Sequence, residues 1–234
     1  MEKGDEKIRK ATKRYCTNRI EIDCVIFNFE TDGLKVLLVK QKDNQENGSW
    51  GLANDYIKEG ETISSTAHII LKKYIGSDNF FVEQLKAFSY PSPSSLQENI
   101  SIGYYALVKR DNKQVNSPFN LDVKWVGINE VIGLNDKHKM ILDFSLKELR
   151  KNICQSAIGF NLLPEKFTLL QVIHLYEEIL GIEVDKSNFR RKLLHMGIVH
   201  DLNEKEEDVS HRAAKFYTLN LNNYDSGREL NFNF

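Results

Sequence analysis

A polar loop followed by a helix, between Gly51 and Gly76, constrains the fold of this chain more than any other stretch of its sequence. Gly60 and Glu61 supply a turn, and Gly76 is typical of a residue that ends a helix. Between them, apolar residues recur at helical spacing and predict one buried face: Ile63, Ala67, Ile70, Leu71 and Tyr74. The sequence therefore predicts a loop that leads directly into an amphipathic helix.

This segment resembles the Nudix box, a pattern of Gly, five residues, Glu, seven residues and Arg-Glu-apolar-x-Glu-Glu-x-Gly. Glu61 and Gly76 lie at the correct separation. In that family, carboxylates on one helix face hold divalent cations against a diphosphate, because hard cations need clustered oxygen ligands. The departures are Asp55 for the first glycine, Ile69-Ile70 for Arg-Glu and Lys73-Tyr74 for the paired glutamates. The resemblance therefore implies a Nudix-like domain that is not an enzyme, with no catalytic residues, no metal and no other cofactor.

Composition describes an ordinary folded protein, with 41% hydrophobic and 28% charged residues. The net charge of −1 gives no overall attraction to nucleic acid or membrane, so any basic surface has to be local. Cys16, Cys24 and Cys154 are widely spaced, which favours buried thiols in a reducing compartment. Without a long apolar run or a secretory signal pattern, we expect a cytoplasmic protein that does not interact with membranes.

The N-terminal part predicts a basic arm, at residues 1–17, and then two strands. The arm is either solvated or contacts DNA or a dimer partner. Residues 20–29 and the run LKVLLVKQK form a hairpin-like pair around the Asp32-Gly33 turn. Polar residues alternate with apolar ones at Glu21, Asp23 and Lys40, so they share a face that either lines a ligand cleft or points to water.

Further strands and a helix complete the predicted first domain. Residues 80–90 and 100–109 are rich in Phe, Tyr, Val and Ile, and Trp125-Val126 predicts a short strand. Residues 136–153 have apolar spacing typical of a helix that packs on the opposite face of the sheet. Together with the box, these elements predict an α/β fold, a Nudix-like α/β/α sandwich over residues 18–157.

A second domain follows a linker that we place at residues 158–166, where GFNLLPEK breaks the helical pattern. Thr168 and Asp185 or Ser187 are suitable N-caps for two helices, which Gly181 and Gly197 end. Two short strands come next. Helix, turn, helix and hairpin are the elements of a winged helix-turn-helix, here at residues 167–221, with a polar tail at 222–234.

The second helix of this domain carries concentrated positive charge. Its candidate DNA-binding residues are Lys186, Asn188, Arg190, Arg191 and Lys192, and the start of the wing adds His211, Arg212 and Lys215. We expect Arg191 to contact phosphate, and Asn188 or Arg190 to read base edges. The alternative is a solvated helix surface over a core formed by Phe189, Leu193 and Leu194.

The C-terminal region is similar to Nudix-related transcriptional regulators. The shared motifs are Phe167-Thr168-Leu169, YEEILG at residues 176–181, DKSNFRRK at residues 185–192 and AKFY at residues 214–217. Members of that family sense a small molecule with the Nudix-like domain and bind operators as dimers through the winged helix. Some respond to ADP-ribose and others to sugars such as L-arabinose. The resemblance implies a homodimer that binds double-stranded operator DNA, and we expect it to act as a repressor.

The effector follows from the chemistry of the loop and first strand. A neutral polyol requires hydrogen-bonding groups around an aromatic face. The candidate effector-binding residues are Glu21, Asp23, Lys40, Asn54, Asp55 and Tyr56. This set favours a pentose sugar, with L-arabinose the leading candidate by resemblance. The alternatives are an ADP-ribose-responsive regulator of NAD metabolism, an active Nudix hydrolase and a purely structural interaction protein.

Overall fold

The computed structural model describes residues 19–41, 49–91, 98–109, 121–207 and 213–220. The strands are β1 (Ile20–Glu30), β2 (Gly33–Lys40), β3 (Trp50–Gly51), β4 (Ala53–Tyr56), β5 (Phe80–Pro91), β6 (Glu98–Val108), β7 (Val123–Gly127), β8 (Phe167–Thr168), β9 (Val199–Lys205) and β10 (Lys215–Leu219). The helices are α1 (Ile63–Ile75), α2 (Asp136–Gln155), α3 (Leu169–Leu180) and α4 (Lys186–Met196), with 3₁₀ turns at Ile128–Glu130 and Ala157–Leu162.

Seven strands of the described residues form one mixed sheet around β1. The strand order is β3-β2-β1-β6-β5, with β4 paired to β1 and β7 paired to β2. β1 runs parallel to β6 and antiparallel to β2 and β4. Its sequence is almost wholly buried, as expected for a central strand covered on both faces. The predicted pairing of β1 with β2 is confirmed, whereas the short strands β3 and β4 were not predicted.

Helix α1 is the helix that the box segment predicts. Thr62 is its N-cap, where the Thr62 and Ser65 side chains each accept from the other residue's backbone N–H. Gly76 ends the helix in the left-handed conformation that glycine adopts without strain. Its apolar stripe packs with Ile22, Cys24 and Ile26 of β1 in a core on one face of the sheet. The predicted helix and its C-terminal glycine are therefore confirmed.

Helix α2 covers the opposite face, as the sequence predicts, and joins a larger core. Side chains of β1, including Val25 and Phe27, pack there with Ile141 and Leu149 of α2. The same cluster continues into the C-terminal region through Tyr176 of α3, Phe189 of α4 and Tyr217 of β10. The two halves of the chain therefore share one continuous hydrophobic core.

The C-terminal elements form a winged helix. Strands β8, β10 and β9 make a small antiparallel sheet beside α3 and α4. The predicted caps are confirmed: Thr168 and Asp185 accept backbone hydrogen bonds at the helix starts, and Gly181 and Gly197 are left-handed at the ends. Helix α4 is held to the domain by Phe189 and Leu193, which are buried.

The segment predicted as a linker, residues 158–166, has a packing role. Its first part is a 3₁₀ turn that buries Ile158, Phe160 and Leu162 in the shared core, and Leu163 is buried beside them. The Phe160 ring lies 5.3 Å from the Phe167 ring, centroid to centroid. The connection between the domains is thus fixed by side-chain packing. No helix among the described residues is long and apolar enough to cross a membrane.

Candidate functional site

A buried polar network joins the start of β1 to the first turn of α2. Lys137 Nζ lies 2.9 Å from Glu21 Oε2 and 3.0 Å from Asp23 Oδ2. Glu21 also accepts hydrogen bonds from Asn54 Nδ2 at 2.8 Å and from the Tyr90 hydroxyl at 2.7 Å. Burial in this network raises the pKa of Tyr90, and its hydrogen bond to Glu21 raises it further. The carboxylate of Glu21 is therefore largely occupied by protein donors.

Asp23 lies deeper in the same network and is fully buried. It accepts from the Ser101 hydroxyl, and its Oδ1 lies 3.1 Å from His138 Nε2 without the alignment of a good hydrogen bond. The Leu52 N–H donates to His138 Nδ1 at 3.4 Å, which assigns the proton of the neutral ring to Nε2. Burial opposes ionisation of Asp23, but the contacts with His138 and Lys137 outweigh it, so the pKa of Asp23 lies below its ordinary value.

The structure brings together four of the six predicted effector-binding residues. Glu21 lies opposite Tyr56 and Asp23 opposite Asn54 in the antiparallel pair of β1 and β4, so all four share one face. Of these, Tyr56 is the most accessible, at 45% exposed.

The other two predicted effector-binding residues lie apart from the network. Asp55 lies opposite Ile22, on the α1 face, and its Oδ2 is 3.0 Å from Lys58 Nζ. Lys40 Nζ is 3.7 Å from the Asp122 carboxylate. Alternation along a strand separates neighbouring side chains onto opposite faces, which is why Asn54 and Asp55 diverge.

Four members of the network were not predicted: Tyr90, Ser101, Lys137 and His138. They come from β5, β6 and α2, far from Glu21 in sequence. Only Lys137 and His138 carried a recognisable signal, since they follow Asn135 in the first turn of a predicted helix. Tertiary folding alone brings the remaining two to the network.

An open groove of about 480 Å³ adjoins the network along β5 and α2. Its lining is Lys86, Phe88, Asp136, Lys139, Met140, Asp143, Phe144 and Lys147. Lys86 Nζ lies 4.2 Å from the centroid of the Phe144 ring and 5.1 Å from that of Phe88. Phe88 of the groove and Tyr90 of the network are two positions apart in the regular part of β5, so the groove and the network lie on the same side of that strand. The groove offers aromatic surface together with three ammonium groups and two carboxylates, of which Lys139 and Asp143 form an ion pair at 3.4 Å.

The residues at the Nudix-box positions, on and just before α1, do not line this groove. Glu61 accepts hydrogen bonds from the Lys58 N–H and from the Thr66 hydroxyl. Ile69 and Lys73 are exposed, and Lys73 Nζ lies 4.9 Å from the Tyr74 ring centroid. Across the described ranges, no group of three or more His, Cys, Asp or Glu side chains is placed to hold a metal ion. Glu61 is thus the one carboxylate that the box pattern retains on these positions.

Helix α4 presents a cationic outer face. Lys186, Asn188, Arg190 and Arg191 are all exposed, while Lys192 is half-buried. The Arg191 guanidinium donates to Asn188 Oδ1 at 2.9 Å, which holds the two side chains together. The helix sequence KSNFRRKLLHM contains no acidic residue. Of the predicted DNA-binding residues on α4, four are therefore accessible to a polyanion.

Of the predicted wing residues, Lys215 is exposed but ion-paired. Lys215 Nζ lies 2.6 Å from Asp201 Oδ2, which places that cation in an ion pair within the small sheet. The Lys215 pKa is raised by this contact and the Asp201 pKa is lowered, as a mutual ion pair requires. The predicted residues His211 and Arg212 lie outside the described residues.

Comparison with known proteins accounts for both halves of the chain. Residues 17–144 match the NUDIX domain, and residues 159–219 match the NrtR DNA-binding winged helix domain. A Nudix sandwich joined to a winged helix with a cationic recognition face defines a DNA-binding regulator. The chain belongs to the Nudix family, and its C-terminal part is a winged helix domain of the NrtR type.

Similar proteins share this arrangement over most of their length. The ADPR-responsive transcriptional repressor NtrR of Acinetobacter baylyi is 23% identical over 215 residues, 90% of this chain and 86% of that protein. NrtR of Shewanella oneidensis, crystallised with a 27mer DNA, is 25% identical with a TM-score of 0.77, covering 90% of this chain and 99% of that one. A MutT/nudix family protein from Enterococcus faecalis has the same fold, with 20% identity and a TM-score of 0.68 over 89% of this chain and 90% of that one.

Proposed function

We propose that this protein is a transcriptional repressor that binds operator DNA as a homodimer and releases it when its Nudix domain binds ADP-ribose. The observation that carries the DNA-binding part is the outer face of α4, where Lys186, Arg190 and Arg191 are exposed and no acidic residue intervenes. A phosphate backbone attracts such a face, while the net charge of −1 gives no overall attraction to nucleic acid. The likeness to an NrtR crystallised with DNA supports the same assignment.

ADP-ribose replaces the pentose, and L-arabinose in particular, that the sequence led us to expect. The Acinetobacter relative responds to ADP-ribose. The physical reason for the revision is that Glu21 and Asp23, the carboxylates assigned to a polyol, already accept from Asn54, Tyr90 and Ser101 and pair with Lys137. Few of their lone pairs remain for the hydroxyl groups of a sugar.

We place the effector in the groove between β5 and α2. An adenine ring needs an aromatic or apolar face, which the exposed Met140 and the half-buried Phe144 supply. A diphosphate needs positive charge, which Lys86 and Lys147 supply without a metal ion, whereas Lys139 Nζ already lies 3.4 Å from Asp143 Oδ2.

Replacing Lys86 by Met keeps its aliphatic stem and removes its charge. We expect ADP-ribose affinity, measured by calorimetry, to fall at least about fivefold, because a charge-assisted contact contributes about 1 to 3 kcal/mol. Lys72→Met is the matched control. Lys72 is an exposed lysine on α1, paired with Asp78 at 2.7 Å, and its replacement leaves affinity unchanged. Equal affinities for Lys86→Met and wild type would place the effector elsewhere.

The proposed function is tested by a linkage experiment on the full chain. Duplexes selected from a random pool serve as the operator, and their affinity is measured with and without ADP-ribose or L-arabinose. We expect ADP-ribose, and not arabinose, to lower operator affinity. Thermodynamic linkage then requires operator DNA to lower ADP-ribose affinity by the same factor. A protein that selects no duplex sequence, or whose DNA affinity ignores ADP-ribose, is not this repressor.

A further inference from the structure

Leu194 is an exposed apolar side chain on the cationic face of α4. It is 49% exposed, and neither hydrophobic core includes it. The alternative interpretation of this helix, a solvated surface, counted Leu194 as core beside Phe189 and Leu193, but only the latter two are buried. About half of this large apolar side chain is therefore presented to solvent, and it belongs to neither core of the described residues.

Helical geometry places Leu194 at the middle of the outer face. Phe189, Leu193, Met196 and the half-buried Lys192 form the inner face of α4, and residues turn about 100° per position, so the opposite direction is shared by residues spaced i, i+4 and i+7. Those residues are Ser187, Arg191 and Leu194. Lys186 and Arg190 lie to one side of this stripe, and Asn188 and His195 to the other. The stripe is thus the part of α4 that points farthest from the protein body.

We infer that Leu194 is a sequence-specificity residue that contacts the C5-methyl group of a thymine in the major groove. The inference rests on the proposed DNA-binding function and deepens it. Among the groups that base edges present in the major groove, the thymine methyl is the apolar one, and apolar side chains recognise it. A leucine that faced phosphates instead would gain nothing from them.

Arg191 extends the same readout. Its hydrogen bond to Asn188 fixes the guanidinium on the stripe, and arginine pairs with the O6 and N7 acceptors of guanine. Leu194 lies three positions further along α4, about 4.5 Å along the helix axis. The thymine that it contacts therefore lies within one or two base pairs of that guanine. This assigns base reading to Arg191 and phosphate contact to the flanking Arg190, the reverse of the roles that the sequence suggested.

The test uses the full-length protein and duplexes selected from a random pool. Each thymine of the selected site is replaced in turn by deoxyuridine, which removes only the methyl group. For wild-type protein, we expect one thymine per half-site whose replacement lowers affinity about fourfold, the effect of burying one methyl-sized group. For Leu194→Ala, we expect weaker binding to the thymine duplex and no further loss with deoxyuridine at that position.

Leu170→Ala is the matched control, since Leu170 is 51% exposed on α3 in the same domain. We expect this variant to bind both duplexes as wild type does. Leu194→Met, which keeps apolar contact, should retain sensitivity to the methyl group.

A Leu194→Ala variant that stays folded and distinguishes thymine from deoxyuridine as wild type does would overturn the inference, as would wild-type indifference to every replacement. Failure of wild type to bind any selected duplex would instead refute the proposed function.

Discussion

Arg150 of α2 donates a hydrogen bond from Nε to the carbonyl oxygen of Ile179 in α3, over 2.7 Å. Ile179 lies in the last turn of α3, where carbonyl groups lack partners within the helix. The first turn of α2 holds Lys137 and His138 in the buried network. Arg150, in the C-terminal half of α2, contacts the winged helix directly. Helix α2 therefore contacts both the buried polar network and the winged helix.

A second contact between the domains lies at the β1–β2 turn. His174 of α3 is 3.4 Å from the Thr31 carbonyl oxygen, and its ring packs edge-on against Phe29 at 5.3 Å. A side chain at Gly33 would approach within 2.7 Å of the Glu178 carboxylate. Strand β1 begins at the polar network and ends against α3. A displacement at one end of the strand can therefore be transmitted to the other end through packed side chains.

Replacing Arg150 by Ala should lower the free energy of unfolding by about 1 to 2 kcal/mol, since a cationic donor to a helix C-terminal carbonyl is lost. The variant should also reduce the factor by which ADP-ribose changes operator affinity. Chemical denaturation and the linkage titration measure the two effects. Lys151→Ala, at an exposed position paired with Glu148 at 3.5 Å, serves as the control and should change stability by less than about 0.5 kcal/mol. Unaltered coupling in Arg150→Ala would exclude this contact from signal transmission.

Replacing Asp23 by Asn should lower the free energy of unfolding by about 3 kcal/mol at neutral pH, because it removes one partner of a buried ion pair. The pKa of Asp23 is lowered in the folded state, so its contribution is present above the ordinary value of 3.8 and is lost as the pH falls through the folded value. The difference in the free energy of unfolding between wild type and Asp23→Asn should therefore be constant from about pH 7 to pH 5 and shrink below about pH 4. Urea unfolding at several pH values checks this.

Asp78→Asn is the control for that experiment, since the Asp78 side chain is exposed and pairs only with Lys72 among its described contacts. This substitution should hardly change the free energy of unfolding, because exposed ion pairs contribute about 0 to 1 kcal/mol to stability. If the difference in the free energy of unfolding between wild type and Asp23→Asn did not vary with pH, Asp23 would not be ionised in the folded protein.

The Nudix domain should bind ADP-ribose without hydrolysing it. With Mg²⁺ or Mn²⁺ present, we expect turnover no greater than in a protein-free control, since Ile70, Lys73 and Tyr74 replace the box carboxylates. The thermal shift caused by ADP-ribose should be the same in EDTA as in Mg²⁺, because in the proposed site lysines, and not a metal ion, contact the diphosphate. Metal-dependent turnover that Glu61→Gln abolishes would contradict the prediction.

Salt dependence should separate the cations of the winged helix. Arg190→Ala should flatten the slope of log affinity against log salt by about 0.9 per subunit, the value for one lost phosphate contact. Lys215→Ala should change the slope much less, because Asp201 already neutralises Lys215 at 2.6 Å. Anisotropy titrations between low and moderate salt measure both slopes. A larger effect for Lys215 than for Arg190 would move the DNA contact from α4 to the wing.

Much of the architecture was predictable from the sequence because it depends on local signals. Helical spacing, the caps Thr168 and Asp185 and the glycines after α1, α3 and α4 located those helices, since capping and left-handed conformations act within one turn. Alternation along β1 placed Glu21 and Asp23 on one face for the same reason. The positive charge of α4 was also predictable, because the N-cap locates the helix in the sequence and so identifies the basic residues that belong to it.

Tertiary structure decided which groups meet, and the reason is that the meeting residues are distant in sequence. Lys137 pairs with both Glu21 and Asp23 only because α2 packs across β1, and Lys86 reaches Phe144 only because β5 borders α2. Burial then determined that Leu193 is core while Leu194 is exposed, a choice that composition left open. The sequence by itself determined the elements and their charges, whereas long-range packing alone determined how the polar network, the groove and the exposed stripe are assembled.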